Sequence, residues 1–136
     1  MVPEAAQENT PEGAEAFVRF YLDLVNEAWT TPATGLLPPL SDDDCGFCTR
    51  TEADARELAK AGHHFAKDSV ESGSAKQVPA PSGQVHFEIE VTQKAVTIVD
   101  DSGAEVDRIQ GATERVKVGV KWTDSGWRFL DLESLT

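Results

Sequence analysis

The residues whose types and spacing most clearly suggest chemistry are two cysteines, Cys45 and Cys48, in the stretch SDDDCGFCTR. They are the only cysteines in the chain. A C-x-x-C pair can exchange thiol for disulfide, supply half of a zinc site, or close a local disulfide. Each of these uses needs different surroundings, so the neighbouring residues help to distinguish them.

Redox exchange and zinc binding fit the surroundings of the pair less well than a disulfide does. Redox pairs similar to those of thioredoxin follow a buried strand, whereas the acidic stretch Ser41–Asp44 precedes Cys45. Its three carboxylates should also raise the pKa of the thiols and weaken them as nucleophiles. A zinc site needs a second ligand pair, and His63, His64 and His86 do not have the H-x₃-H spacing. We therefore predict no metal and no cofactor, and we keep redox exchange as an alternative.

The third use of the pair is a local disulfide between Cys45 and Cys48. Because the ring is very small, the loop-entropy model gives it only about 2 kcal/mol of stabilisation. Such a bond would fix how the chain approaches the next helix. A persistent disulfide also implies an oxidising compartment, which favours an exported form of the protein.

The composition limits the function classes further. The chain has 136 residues, 12 of them basic and 24 acidic, for a formal net charge of −12. This length suits one domain, and this charge repels nucleic acid and anionic lipid headgroups. No run reaches the roughly 18 apolar residues of a membrane helix. Met1 is followed by VPEAAQENTPEGAEA, which lacks the pattern of a signal peptide, so we expect either a cytosolic protein or a processed, exported one.

The N-terminal third of the chain contains a clear helix signal. Residues 1–9 are polar and predict a flexible leader or linker. Thr10 and Pro11 then provide an N-cap and a first helical residue, and apolar residues at helical spacing predict an amphipathic helix over about 10–29. A short helix is predicted over 32–37, ended by the two prolines that follow.

A third helix is predicted over about 50–69, after the cysteine pair. Thr49–Glu52 fits a capping box, and alanines, Leu58 and Phe65 form an apolar stripe. Gly62 lies inside this predicted helix and should weaken it by about 1 kcal/mol relative to alanine.

The C-terminal half changes to the two-residue period of strands. Apolar residues alternate with polar ones over 85–92 and 116–122, and turns are predicted at Asp101–Gly103 and Asp124–Gly126. One polar face per strand indicates an antiparallel sheet with a single packed face. The predicted fold class is therefore α+β, with three helices on a curved, mainly antiparallel sheet over about 75–134, in one domain of residues 10–136.

Several segments resemble an uncharacterised family of actinobacterial cell-surface lipoproteins, catalogued as a domain of unknown function. They are PEGAEAFVRFYLDLVNEA, LSDDDCGFC, VDDSGAEVDRIQGA and KVGVKWTDSGWRF, within residues 9–134. The resemblance implies a nuclear-transport-factor-like, cystatin-like cone and a structural disulfide between Cys45 and Cys48. Family members carry a lipidated cysteine after a signal peptide, and neither is in this sequence. No catalytic residues come with the resemblance.

The implied cone suggests a pocket, for which Phe17, Tyr21, Trp29 and Trp122 are the candidate residues. The segment VRFYLDLVNEA is similar to the first helix of ketosteroid isomerase, and Tyr21 matches its tyrosine. The alternative for Tyr21 is a core residue with a local hydroxyl partner. Trp122 could instead pair with Trp127 across the turn between them.

The functional hypothesis is an extracytoplasmic accessory domain on the outer face of the cell membrane, held in its full-length form by a lipid anchor. It would bind a small apolar ligand or a cell-envelope protein, as a monomer or a homodimer, and would not bind nucleic acid. The first alternative is an isomerase-like enzyme using Tyr21. The second is a redox protein using Cys45 and Cys48.

Overall fold

A computed structural model describes residues 2–135 and gives the order of the helices and strands along the chain. Met1, from the predicted leader, and Thr136, the last residue of the predicted domain, lie outside the described residues. The helical elements are a 3₁₀ turn Glu4–Gln7, α1 (Pro11–Thr30), a 3₁₀ turn Pro38–Leu40 and α2 (Gly46–Ala61). The strands are β1 (His63–Phe65), β2 (Val70–Val78), β3 (Gln84–Gln93), β4 (Val96–Asp100), β5 (Glu105–Ile109), β6 (Ala112–Thr123) and β7 (Gly126–Ser134).

Helix α1 forms as its sequence predicts. The Thr10 hydroxyl accepts a hydrogen bond from the Gly13 amide at 3.0 Å, which satisfies one of the donors left open at a helix start. Pro11 occupies the first helical position, where its missing amide costs nothing. The predicted bounds of about 10–29 are therefore confirmed, and the apolar face of α1 packs on the sheet.

Helix α2 is shorter than predicted and begins earlier. Its N-cap is Cys45, whose sulfur accepts from the Cys48 amide at 3.1 Å, so the predicted capping box at Thr49 is wrong. It ends at Gly62, which adopts a left-handed φ of 72°. A glycine takes this conformation without strain and so terminates the helix instead of merely weakening it. The predicted extension to residue 69 is wrong, because β1 begins at His63.

The segment predicted as a helix over 32–37 is not helical. Gly35 has a φ of 85°, which interrupts any right-handed helix there, and its amide donates to the Glu52 carboxylate at 2.8 Å. The chain then makes the 3₁₀ turn Pro38–Leu40. Proline tolerates the start of such a turn because the first amides of a helix have no partner.

The predicted flexible leader is packed against the domain in the residues that the structure describes. Residues Glu4–Gln7 form a 3₁₀ turn, and Ala6 is buried. The Trp127 indole donates to the Glu8 carbonyl at 2.8 Å. Val2 also packs against the hydrophobic core. A few contacts therefore hold a segment whose composition predicts flexibility.

The strands form two antiparallel sheets rather than the single predicted one. The larger has the order β2-β3-β6-β7, and the smaller has the order β1-β4-β5. Strands begin at His63 and Val70, so the predicted start near residue 75 is too late. Register shifts between Ser72 and Ala75, and between Gly119 and Val120, interrupt the ladders of the larger sheet. Both predicted hairpin turns, between β4 and β5 and between β6 and β7, are confirmed, as is the α+β class.

Two hydrophobic clusters correspond to the two sheets. The main one joins α1 to the larger sheet and includes Phe17, Tyr21 and Phe129. The second consists of Phe65, Val96 and Ile98, with Trp29, Leu58 and Ile109 packed against it. Trp29, at the end of α1, contacts both clusters and links them.

Candidate functional site

The cysteine pair is joined in a disulfide with a Cα–Cα distance of 5.3 Å, as predicted. Cys45 is 0% exposed and Cys48 is 5% exposed, so an attacking thiolate has little access to the bond. The carboxylate of Asp131 on β7 accepts from the Phe47 amide at 3.1 Å, in the first turn of α2. The disulfide therefore lies where the first turn of α2 is hydrogen-bonded to β7. Because both sulfurs are buried there, the redox alternative is not favoured.

Removal of this disulfide should weaken the fold modestly. We expect the reduced parent protein to lose about 2 kcal/mol of unfolding free energy, since the disulfide closes only a small ring. The Cys45→Ala/Cys48→Ala variant should lose more, because it also removes the sulfur that caps α2. Urea unfolding followed by circular dichroism measures both losses, and an unchanged midpoint in both samples would contradict the prediction.

Tyr21 lies in the core rather than in an open pocket. Its ring is fully buried and stacks on Phe129, with centroids 4.0 Å apart and planes inclined by 11°. Ser41 Oγ donates its single hydrogen to the Leu37 carbonyl at 2.6 Å, so the Tyr21 hydroxyl must donate to Ser41 Oγ at 2.7 Å. The isomerase alternative required this hydroxyl to face an open cavity, and that placement is wrong.

The environment of Tyr21 makes a distinct prediction at alkaline pH. Burial raises the pKa of Tyr21 to about 12, and the charge of Glu52 adds to this rise. Between a pH of about 10 and about 12, the unfolded tyrosine ionises while the folded one keeps its proton. The free energy of unfolding should therefore fall by about 1.4 kcal/mol per pH unit in this window.

Tyr21 is the only tyrosine of the chain, so difference absorption can follow its titration directly. The Tyr21→Phe variant serves as the control and should lose this part of the pH dependence. If the phenol of the native protein titrates near a pH of 10, the burial of the hydroxyl is contradicted.

A candidate binding site is a cavity of about 560 Å³ between the second half of α2 and the smaller sheet, called here the α2 cavity. The left-handed turn at Gly62 sends the chain from α2 directly into β1, so the helix end faces the short strands across this space. Its apolar wall is formed by Trp29, Leu58, Ala61, Phe65, Ile98, Val106 and Ile109. Val106 is 43% exposed, which marks an open apolar side of the cavity.

The polar part of the lining carries mostly negative charge. It consists of Asp54 and Glu57 on α2, Asp107 on β5, His63 on β1 and Gln93 on β3. Burial raises the pKa of Asp54, and the nearby charge of Arg50 partly offsets that rise.

The four predicted pocket residues do not share one site. Trp29 lines the α2 cavity, whereas Phe17 and Trp122 line a second cavity of about 290 Å³ beside the N-terminal segment. Tyr21 is sealed in the main cluster. Trp122 and Trp127 form an edge-to-face pair across the β6–β7 hairpin, with centroids 5.2 Å apart, which agrees with the pairing alternative.

Sequence reasoning missed most of the α2 cavity. The sequence predicts Leu58 and Phe65 on one apolar helix stripe, but they lie on α2 and β1, on different walls of the cavity. Gly62 between them was the available signal, because a glycine near a helix end often terminates it.

Within residues 2–135, no group of three or more His, Cys, Asp and Glu side chains is placed to hold a metal ion. Neither described helix has both the length and the apolar character required to cross a bilayer.

The helices, sheets and cavity define a cystatin-like α+β domain, and solved structures share this fold. The intermembrane space region of the chloroplast protein ARC6 matches with a TM-score of 0.69 and 17% identity, over 95% of this chain and 98% of that chain. The Kfla4162 protein of Kribbella flavida matches with a TM-score of 0.61 and 13% identity, over 92% and 91%. An uncharacterised protein of Caulobacter vibrioides, described as having a cystatin-like fold, matches with a TM-score of 0.54 and 15% identity, over 92% and 91%.

Comparison with family models is more specific than comparison of folds. The chain belongs to a family of unknown function, DUF6318, whose model matches residues 1–133. A search of curated proteins finds no significant match. The fold and the family are therefore established, and the function has to be argued from the site.

Proposed function

We propose that this chain is an extracytoplasmic accessory domain that binds a small apolar molecule in the α2 cavity. The observation that carries the proposal is the cavity itself, whose wall combines two aromatic rings with aliphatic side chains. Its volume of about 560 Å³ falls within the roughly 300 to 1,000 Å³ of small-molecule pockets. An apolar ligand there would cover surface that otherwise faces water.

The location of the domain is proposed from two observations. The Cys45–Cys48 disulfide favours an oxidising compartment. The resemblance to cell-surface lipoproteins adds a lipid anchor in the full-length form and a place on the outer face of the cell membrane. This location suits an accessory role in which the domain holds a ligand without transforming it.

Binding can be tested with N-phenyl-1-naphthylamine, a neutral apolar dye whose fluorescence rises on burial. We expect the parent protein to bind it and the Ala61→Trp variant to bind it at least about tenfold more weakly, since the added ring fills the cavity. Ala61 is exposed at the end of α2, so this substitution should spare the core. The matched control is Ala53→Trp, an exposed position on the same helix outside the cavity lining, which should bind as the parent does.

Two results would overturn the proposal. Equal affinity in the parent and Ala61→Trp proteins would place the dye elsewhere. Failure of the folded parent protein to bind the dye would favour the other occupant, a cell-envelope protein that docks on the same surface. Thermal unfolding of each variant confirms that a lost signal reflects the site and not the fold.

A further inference from the structure

We propose that the α2 cavity selects molecules in which a positive charge adjoins the apolar part, that is, small cationic amphiphiles. This inference rests on the proposed function and adds the charge of the ligand to it. The argument uses the charges of the lining, the aromatic wall and the charge of the whole chain.

The charged groups of the lining are of one sign, apart from a histidine. Asp54, Glu57 and Asp107 supply three carboxylates from two facing elements, α2 and β5. The described lining residues include no lysine and no arginine. Near the lining, Arg50 acts on Asp54, and His63 acts on Asp100. Lys60 and Arg108 adjoin the lining residues Ala61 and Asp107 in the sequence but are not themselves in the lining. An apolar molecule with a cationic end could therefore place its charge among carboxylates while its body meets the apolar wall.

The wall also offers aromatic surface to a cation, mainly through the half-buried Trp29, since Phe65 is only 8% exposed. The rings of Trp29 and Phe65 lie with centroids 5.1 Å apart and planes inclined by 31°. Aromatic faces attract ammonium groups through the ring quadrupole, and tryptophan does so most strongly. Aromatic rings and carboxylates together would discriminate against anionic ligands as well as favour cationic ones.

The net charge of the whole chain also favours cationic over anionic ligands, and it acts over longer distances than the cavity lining does. A net charge of −12 raises the local concentration of cations near the surface and lowers that of anions. This general field is screened by salt, whereas close contacts within the cavity are screened less. Comparing variants of equal net charge therefore separates the two contributions.

The experiment uses three probes with the same octyl chain and different head groups, namely octyltrimethylammonium, octyl glucoside and octyl sulfate. Each is titrated below its micelle concentration and followed by the indole NMR signal of Trp29, assigned with the Trp29→Phe variant. We expect the cationic probe to bind at least about tenfold more tightly than the neutral one, because aromatic and carboxylate contacts add. The anionic probe should bind most weakly.

A triple variant tests the source of the preference. Asp54→Asn/Glu57→Gln/Asp107→Asn should lose the preference for the cationic probe and keep its affinity for octyl glucoside, since all three residues are exposed and the wall is intact. The control triple variant Glu12→Gln/Asp23→Asn/Glu27→Gln removes the same charge from exposed positions of α1 and should keep the preference.

The outcomes distinguish the two proposals. Equal binding of all three probes by the parent protein overturns the charge preference and leaves the apolar site intact. An equal loss of preference in both triple variants overturns the local role of the carboxylates. If no probe binds to the folded parent, the proposed function itself fails.

Discussion

The Phe129→Ala variant is expected to lose about 3–5 kcal/mol of unfolding free energy, the usual cost of truncating a buried phenylalanine. Phe129 on β7 is fully buried, and its ring lies between Tyr21 of α1 and Phe47 of α2, at centroid distances of 4.0 and 6.1 Å. Its removal would leave a cavity where the two helices meet the larger sheet. Urea unfolding monitored by circular dichroism gives the loss directly.

The matched control for this truncation is Phe129→Leu, which keeps an apolar side chain at the site. It should cost about 1.5 kcal/mol or less if its neighbours can repack. A loss below about 1 kcal/mol for Phe129→Ala, the average for point substitutions, would contradict the central position of this ring.

The second large effect is expected from Asn26→Ala, which should cost about 2–4 kcal/mol because buried backbone groups lose their partners. Asn26 is 6% exposed and joins α1 to the start of β2. Its side-chain oxygen accepts from the Ser69 and Val70 amides at 3.1 and 2.9 Å. Its side-chain nitrogen donates to the Val70 carbonyl at 2.9 Å. Alanine would supply none of these three bonds.

The measurement for Asn26→Ala is again urea unfolding, with Glu27→Ala as the control. Glu27 is exposed on the same helix turn, so its replacement should change the unfolding free energy by no more than about 0.5 kcal/mol. Similar effects of the two substitutions would show that the three hydrogen bonds of Asn26 do not hold β2 to α1.

The sequence predicts an element well when its apolar residues repeat regularly and when a capping or turn residue marks its end. Helix α1 has both, and each predicted hairpin has alternating strands around an Asp-Ser-Gly turn. The predicted start of α2 is too late because its N-cap is a disulfide sulfur, which no capping pattern describes. The strand β2 was predicted to start too late because its first residues, Val70–Ala75, are mostly small or polar, and pairing with β3 rather than periodicity makes them a strand.

The candidate site was less accessible to sequence reasoning than the fold. Trp29, one of the four predicted pocket residues, lines the α2 cavity because it lies near the end of α1 beside the second cluster. The cavity itself depends on β5 and β1 facing α2, and strand order is a tertiary property. Asn26 shows the same limit. A polar residue of an amphipathic helix is expected to face water, but long-range hydrogen bonds to the start of β2 accompany its burial.

The separate cluster beneath the smaller sheet has a consequence for dynamics. Among the described residues, that cluster buries only Phe65, Val96 and Ile98, and four of the five residues of β5 are exposed. The β4–β5 hairpin therefore has little burial to hold it, and its local unfolding should require less free energy than global unfolding. One wall of the α2 cavity should then exchange its amide hydrogens sooner than the larger sheet does. A ligand that contacts this wall would slow that exchange, so occupancy of the cavity and the order of the hairpin are coupled.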